Sequence, residues 1–287
     1  MLSLVLGLVA GCGPTPVPPT PTKAAPTKAP EGTLLRKIQD RGKLILGVKY
    51  DVPLFGYMNP QTNQLEGFDV ALGKEIAKKI FGDETKVEFK QAVSKDRIPF
   101  LQQDVVDLII STMTITEARE KEIDFSEVYY LAGQSLLVPK GSPIKSIADL
   151  EGRTVASVKG STSEKNIREK APKANVILFD SYSECVTAMV GKRAEAVTTD
   201  DIILAGFASQ NKDLTLVGGL FTYEPYGIGI KKGNKELVVL VNGVIRDLKA
   251  SGRWKELYTK EIGDKAGIPA PVAPIGDWRE IMKSAPK

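Results

Sequence analysis

The chain has 287 residues, enough for two modest lobes with separate cores, and its 42% hydrophobic and 26% charged residues are ordinary for a globular protein. The net charge of +4 is not concentrated in a basic block, so no nucleic-acid partner is expected. Histidine is absent, and Cys12 and Cys185 are the two cysteines; this excludes His-based triads and His- or Cys-rich metal sites, and no cofactor is expected.

The N-terminus has the pattern of an export signal. Residues 1–10 are apolar but too few to cross a bilayer as a helix, and the Leu-Val-Ala-Gly-Cys that follows at 8–12 resembles a bacterial lipobox. We expect lipidation of Cys12 to hold the protein at the membrane, although a basic stretch before the apolar run is missing. The Pro-, Thr-, Ala- and Lys-rich residues 13–33 are expected to form a disordered tether.

From residue 34 onward, short apolar runs alternate with amphipathic helical segments, which predicts an α/β fold. Asp69 is expected to cap a helix over 70–81. A buried strand is predicted over 105–110, and a second one over 134–138 is expected to lead out of the first lobe. Arg97 begins another helix, where a cation opposes the helix dipole, and this unfavourable placement suggests a functional role.

Hydroxyl residues follow the strand at 105–110, namely Ser111, Thr112 and Thr114. Thr116 is then a plausible N-cap, and Arg119 lies three residues into the next helix. Ligands bind outside the carboxyl ends of strands in open α/β sheets, so these groups predict an anion site suited to an α-carboxylate. The alternative is a surface ion pair between Arg119 and Glu122 or Asp124.

Residues 139–228 repeat the order of strand, polar turn and helix. Thr162 lies at the Gly-preceded start of a helix, and Tyr182 and Asp200 follow the carboxyl ends of two further strands. Each position has a purely structural alternative, because Ser161 or Thr162, and Asp200 or Asp201, could serve as helix caps. In the first lobe, Lys49 follows a strand and is expected to face the same cleft.

Several stretches resemble the bacterial extracellular solute-binding proteins of family 3, which bind polar amino acids for ABC importers. They are TMTITEAREKEIDFSEVYY at 112–130, GVKYDVPLFGY at 47–57, EGFDVALGKEIAKKI at 66–80, KGSTSEKNI at 159–167, AVTTDD at 196–201 and EPYGIGIKKG at 224–233. The resemblance implies a type II periplasmic-binding-protein fold with two crossing hinge strands. One lobe would contain 34–138 and 229–262, the other 139–228, and residues 263–287 form an extension without an assigned role.

The resemblance also implies roles for the candidate residues. Arg119, Thr114 and Thr162 would hold an α-carboxylate with Thr112 nearby, and Asp200 would hold the α-ammonium group. Arg97 and Lys49, with Tyr182, would hold a carboxylate on the ligand's side chain, which predicts glutamate or aspartate; the alternative is glutamine or another polar amino acid.

The expected function is capture of an amino acid outside the cytoplasmic membrane and its delivery to an ABC permease by a monomeric protein. The same fold also occurs in a few dehydratases and in receptor sensor domains. We expect no enzyme, because histidine is absent and no second carboxylate stands out at the reacting end of the cleft. Trp254 and Cys185 are expected to be packing residues, and no disulfide is expected.

Overall fold

The computed structural model describes residues 27–285. The predicted signal, the lipidation site at Cys12 and the tether up to residue 26 lie outside the described residues. The rest of the expected tether is ordered against the first helix, α1 (Leu34–Arg41), because the side chain of Gln39 accepts from Ala29 N at 2.7 Å and donates to Thr27 O at 3.1 Å. Among the described helices, none has the length and apolar character needed to cross a membrane.

The first lobe is built on a five-stranded sheet. Its strands lie in the order β5 (Val87–Gln91), β1 (Leu44–Val48), β6 (Leu108–Ile109), β15 (Gly229–Lys231) and β7 (Ile123–Phe125). The first three strands are parallel and the last two are antiparallel to their neighbours. The apolar and mostly buried side chains of β1 and β6 explain the central position of these strands.

The second lobe repeats this arrangement with a sheet of its own. Its strands lie in the order β11 (Asn175–Phe179), β10 (Thr154–Val158), β12 (Ala196–Asp200), β9 (Gln134–Pro139) and β13 (Leu214–Val217). The first three are again parallel, and β9 and β13 run antiparallel. The predicted α/β architecture with two lobes is therefore confirmed.

Two predictions about strands were wrong. The strand expected over 105–110 is shortened to β6, because residues 103–106 form a turn in which Val105 N donates to Phe100 O. The strand expected over 134–138 is present as β9, but it belongs to the second sheet, where it pairs with β12 and β13. The expected lobe boundary between 138 and 139 therefore falls inside β9, and the second sheet takes in the chain from Gln134.

A two-stranded antiparallel ribbon connects the lobes. It consists of β8 (Tyr130–Ala132) and β14 (Glu224–Tyr226), which are the two crossing hinge strands expected from the sequence. The ribbon adjoins a cluster of buried aromatic rings in the first lobe, where Trp254 packs edge-on to Phe68 and its indole N–H donates to Tyr129 O at 2.8 Å. This confirms Trp254 as a packing residue.

The remaining elements lie on the faces of the two sheets. A small antiparallel sheet precedes α2 and consists of β2 (Asp51–Val52), β3 (Gly56–Asn59) and β4 (Gln64–Glu66). The other helices of the first lobe are α2 (Phe68–Phe81), α3 (Arg97–Gln102), α4 (Glu117–Glu122), α8 (Lys235–Ala250) and α9 (Arg253–Tyr258). Those of the second lobe are a 3-10 turn (Ile147–Leu150), α5 (Thr162–Lys170), α6 (Tyr182–Val190) and α7 (Asp201–Gln210).

The C-terminal extension folds back over the rest of the chain. A π-helical turn (Thr259–Gly263) and α10 (Asp264–Ala266) continue from α9, an extended stretch follows, and α11 (Trp278–Ser284) ends the described residues.

Candidate functional site

The site lies between the lobes, where the carboxyl ends of the central strands of both sheets face each other. Arg119 reaches it from α4, whose start is fixed because Thr116 Oγ1 accepts from Arg119 N at 3.2 Å. The guanidinium of Arg119 donates to Thr114 O at 2.7 Å and, across the cleft, to Gly160 O at 3.1 Å. Removal from water lowers the pKa of Arg119 to about 9, so the group stays charged at neutral pH.

Neither of the alternative partners expected for Arg119 contacts it in the described residues. Asp124 accepts from Lys232 at 3.0 Å and from Gly233 N at 2.7 Å. Within residues 27–285, Glu122 makes no hydrogen bond or ion pair with Arg119 either. The guanidinium therefore faces the cleft rather than a surface carboxylate.

Two threonine hydroxyls meet between the lobes. Thr114 Oγ1 lies 3.4 Å from Thr162 Oγ1, and Ser161 rather than Thr162 caps α5 by accepting from Glu164 N at 3.0 Å. The hydroxyl of Thr162 is therefore not used as a helix cap. It lies beside Thr114, whose carbonyl oxygen accepts from Arg119. These observations bring together three of the residues expected to hold an α-carboxylate.

Asp200 presents a free carboxylate oxygen. Asp200 is 3% exposed, Oδ2 accepts from the hydroxyl of Tyr226, and Oδ1 is buried without a hydrogen-bond partner among residues 27–285. Although Asp200 immediately precedes α7, its side chain does not cap the helix. Burial, together with the charge of Glu224, raises the pKa of Asp200 well above its usual value. An unpaired buried acceptor of this kind matches a ligand cation.

Arg97 is buried, and backbone carbonyl oxygens accept hydrogen bonds from its guanidinium. Nη1 donates to Ser111 O at 2.9 Å and to Thr112 O at 3.1 Å, and Nε donates to Ser94 O at 3.2 Å. Three backbone carbonyls therefore hold the guanidinium, which shapes the turn after β6. This use of the Arg97 donors was not apparent from the sequence.

Lys49 lies at the same end of the cleft. Its ammonium group donates to Ser94 Oγ at 2.9 Å and lies 5.3 Å from the ring centroid of Tyr182. Burial, reinforced by the charge of Arg97, lowers the pKa of Lys49 to about 7. Lys49 is thus only partly charged at neutral pH, and of its three possible donors one is used by Ser94.

Two carboxylates in the site were missed or misassigned from the sequence. Asp69 does not cap α2, which has Gly67 at its N-cap; it is buried, and it accepts from Thr112 N at 2.9 Å and from the Tyr129 hydroxyl at 2.8 Å. Burial raises the pKa of Asp69 to about 6 despite these hydrogen bonds. An acidic residue within an otherwise apolar helix was the sequence signal that could have indicated this buried carboxylate.

Glu224 was missed entirely. It is 3% exposed and accepts from Thr162 Oγ1 at 2.8 Å, from Asn166 Nδ2 at 2.9 Å and from Thr222 Oγ1 at 2.8 Å. Because it holds Thr162 from the crossing ribbon, Glu224 links the hinge to the cleft. Its sequence neighbours gave no indication of this contact.

The lobes are closed on each other around these residues. Asp51 of the first lobe accepts at Oδ2 from Tyr182 N at 2.8 Å and from Ser183 N at 3.2 Å, at the start of α6. Gly160 of the second lobe approaches the first so closely that a Cβ there would lie 2.8 Å from Lys95 Cα. These contacts and the bond from Arg119 to Gly160 would be broken if the lobes separated.

Comparison with known proteins identifies the family. The model of "Bacterial extracellular solute-binding proteins, family 3" matches residues 44–264. The chain is 52% identical to the "ABC transporter glutamine-binding protein GlnH" of Bacillus subtilis (strain 168), over 79% of this chain and 84% of that protein. It is 53% identical to the "Glutamine-binding protein" of Geobacillus stearothermophilus, over 70% of this chain and 77% of the other.

A solved structure agrees with this result. The structure of an ancestral arginine-binding protein bound to glutamine is 40% identical in sequence to this chain, with a TM-score of 0.73. The match covers 78% of this chain and 99% of that one. The family model and these relatives cover most of both lobes, and the two-lobed architecture is the one described above. The chain therefore belongs to the bacterial extracellular solute-binding proteins, family 3.

Proposed function

We propose that this protein binds L-glutamine in the cleft between its lobes and delivers it to an ABC permease. The observation that carries amino-acid binding is the buried, unpaired Oδ1 of Asp200 in the cleft that also receives the guanidinium of Arg119. The names of the two bacterial relatives support glutamine in particular.

In this proposal the α-amino acid group is held by residues from both lobes. Asp200 accepts from the α-ammonium group, and Arg119 binds the α-carboxylate. The hydroxyls of Thr114 and Thr162 join this contact when Thr162 turns its one hydrogen from Glu224 to the ligand. Thr112, whose φ is +44° and whose N–H and C=O are bonded to Asp69 and Arg97, shapes the first-lobe wall nearby. Because Thr114 and Thr162 come from different lobes, a ligand that joins them favours closure.

The side-chain end of the cleft suits a neutral carboxamide better than a second carboxylate. The preference for glutamate or aspartate relied on Arg97, but Nε and Nη1 of Arg97 donate to backbone carbonyls, so Arg97 cannot offer a two-nitrogen fork to a second carboxylate. Lys49, with its pKa lowered to about 7, can donate to the amide oxygen of glutamine as an ammonium or accept from the amide nitrogen as an amine. Tyr182 lies against Lys49 and completes this end.

The charges in the site also favour a ligand without net charge. Lys49, Arg97 and Arg119 are the basic groups there, and Asp69, Asp200 and Glu224 are the acidic ones. Zwitterionic glutamine adds no net charge to these groups. Glutamate would add a buried negative charge, which is costly unless paired. The sequence-derived alternative is thus better supported than the acidic amino acids.

Calorimetric titration of ligand-stripped protein tests this proposal. We expect tight binding of glutamine, binding of glutamate and aspartate weakened by about tenfold or more, and loss of glutamine binding in Arg119→Ala by about 2 to 4 kcal/mol. Tighter binding of glutamate than of glutamine would reject the specificity, and undiminished glutamine binding by Arg119→Ala would reject the carboxylate contact.

Attachment to the membrane is a separate part of the proposal. We propose acylation of Cys12, on the residues at 8–12 alone, and a monomeric protein. Expression of the full chain with a Cys12→Ala control, followed by membrane fractionation and mass spectrometry of the N-terminal peptide, tests the acylation. An unmodified Cys12 in membrane-associated protein would contradict it.

A further inference from the structure

The C-terminal segment at 264–285, called the strap below, has no role in the function proposed so far. The family model matches only as far as residue 264. The strap begins at α10, which packs against α7, the helix that follows Asp200 directly. Ile268, Ala270 and Ala273 then pack against the main core, while Val272 and Ile275 between and after them are exposed.

The middle of the strap is fixed to the first lobe. The ammonium group of Lys249 donates to Pro274 O and, at 2.6 Å, to Val128 O next to the hinge. Lys249 therefore joins the strap to the chain that leads into the crossing ribbon. Burial lowers the pKa of Lys249 to about 8, so the group is largely charged at neutral pH.

The end of the strap forms hydrogen bonds with α4, the helix that carries Arg119. Trp278 Nε1 donates to Glu120 Oε1 at 3.1 Å, and Arg279 Nη2 donates to Glu120 Oε2 at 2.5 Å. The guanidinium of Arg279 also lies 4.5 Å from the ring centroid of Trp278, a cation–π distance. Both carboxylate oxygens of Glu120 are thus held by two adjacent residues of α11.

Helix α4 depends on such contacts for its position. It has six residues and none of them is buried, so a packed apolar face does not hold it in place. Consecutive residues of a helix point about 100° apart, which lets Glu120 face the strap while Arg119 faces the cleft. Besides the strap, Lys232 Nζ holds Glu120 O at 2.6 Å.

We propose that the strap is a positioning element for the ligand site: Trp278 and Arg279 hold Glu120 and thereby orient Arg119 toward the α-carboxylate of the bound amino acid. This inference rests on the proposed role of Arg119. Trp278 and Arg279 contact Glu120 of α4, so they act on the site through that helix. Their loss leaves Arg119 present but less well oriented, and the bound ligand is released faster.

The test is a full-length double variant with Trp278→Phe and Arg279→Gln, which keeps an aromatic ring at 278 and a polar side chain at 279 but removes the indole N–H and the guanidinium charge. Lys283→Gln is the matched control, because Lys283 lies on the same helix and pairs with Glu280 of that helix at 2.7 Å. We expect the double variant to bind glutamine about three- to tenfold more weakly, mainly through faster dissociation, and the control to change by less than about twofold. Amide exchange in α4 should rise in the double variant only.

Arg119→Lys supplies the background that separates positioning from general destabilisation. If the strap acts through Arg119, the double variant should weaken binding by less than about twofold when Lys replaces Arg119. Equal losses in both backgrounds, or no loss with Arg119 in place, would overturn the inference. Unchanged glutamine binding by Arg119→Lys and Arg119→Ala would instead overturn the proposed carboxylate contact, on which the inference depends. Should the double variant fail to fold, either single variant provides the same comparison.

Discussion

Asp200 combines recognition with a cost to stability. Its Oδ1 is buried without a partner, and its pKa is raised by burial. A carboxyl group with a raised pKa stabilises the folded state only while it is protonated, so this stabilisation is present below the ordinary value of 3.8 and is lost as the pH rises through the folded pKa. At neutral pH, Asp200 therefore opposes folding of the ligand-free protein, and its proposed contact with the ligand's ammonium group would offset this cost.

Asp200→Asn is expected to separate these two effects. Glutamine binding should weaken by about 3 kcal/mol, roughly a hundredfold, because the ammonium group loses its charged partner. The ligand-free variant should melt at a higher temperature than the unaltered protein at pH 7. Calorimetric titration and thermal unfolding measure the two quantities, with the exposed Asp213→Asn as a control. Tight glutamine binding by Asp200→Asn would remove Asp200 from the ammonium site.

Lys49 is the basic counterpart of Asp200. Its pKa falls from 10.5 to about 7 on folding, so the unfolded chain binds more protons between these values and stability rises with pH there. Lys49→Met should therefore increase the free energy of unfolding by about 1 to 3 kcal/mol at pH 7, with the gain shrinking as the pH approaches 10.

Urea unfolding of the ligand-free proteins at pH 7, 8, 9 and 10 measures this difference. Lys43→Met is the control, since Lys43 is about half exposed and pairs with Glu88 on the surface. The difference in free energy of unfolding between Lys43→Met and the unaltered protein should not shrink between pH 7 and pH 10. Parallel pH profiles for Lys49→Met and the unaltered protein would contradict the lowered pKa.

At the scale of elements, the turn between β10 and α5 is built for contact with the other lobe. Gly160 has a φ of +73°, and any Cβ there would meet the backbone of Lys95. Two separate constraints therefore require glycine at position 160: the backbone conformation of the turn and the close approach of the lobes. Since Gly160 O also accepts from Arg119, displacement of this turn would disturb the carboxylate end of the site.

Gly160→Ala should weaken glutamine binding by about tenfold or more, because the added methyl group holds the lobes apart. Gly141→Ala is a matched control: its φ is +81° but no atom lies within 4 Å of the added Cβ. Both variants should lose about 1 kcal/mol of stability to backbone strain, while only Gly160→Ala loses affinity. Calorimetry and thermal unfolding of both variants decide the matter; similar affinities would show that the close approach is unimportant.

At the scale of the whole molecule, the lobes are held together partly by a carboxylate that reaches across the cleft. Asp51 accepts from two backbone N–H groups at the start of α6, as an additional acceptor for donors that a helix cannot satisfy internally. Because these bonds exist only in the closed arrangement, they should slow opening and release of the ligand.

Asp51→Ala is therefore expected to increase the dissociation rate of glutamine by about tenfold and to leave the association rate within about twofold. Stopped-flow measurements report both rates. Lys95→Ala removes an exposed ion pair between the lobes, that of Lys95 with Asp180, and should change the dissociation rate by less than about twofold. A slower association with unchanged dissociation in Asp51→Ala would contradict a role in holding the closed form.

The sequence by itself determined the features that depend on local patterning. Alternating apolar runs and helix starts indicate the two α/β lobes. The places of Arg119 after β6 and of Asp200 at the end of β12 follow from the polar residues found where strands end. Trp254 was correctly expected in the core. The fold class and the burial of Trp254 could be predicted because strand ends and periodicity are set by residues close together in the chain, whereas the ligand contacts of Arg119 and Asp200 stay predictions.

Only the tertiary structure decided which partners the buried polar groups have. Arg97 is satisfied by carbonyls up to 15 residues away, Asp69 by Thr112 and Tyr129, and Glu224 by Thr162, 62 residues earlier. The contact of the strap with Glu120 spans 158 residues. A residue's type shows that it needs a partner when buried, but the partner is supplied by packing between distant segments, which local sequence patterns do not specify.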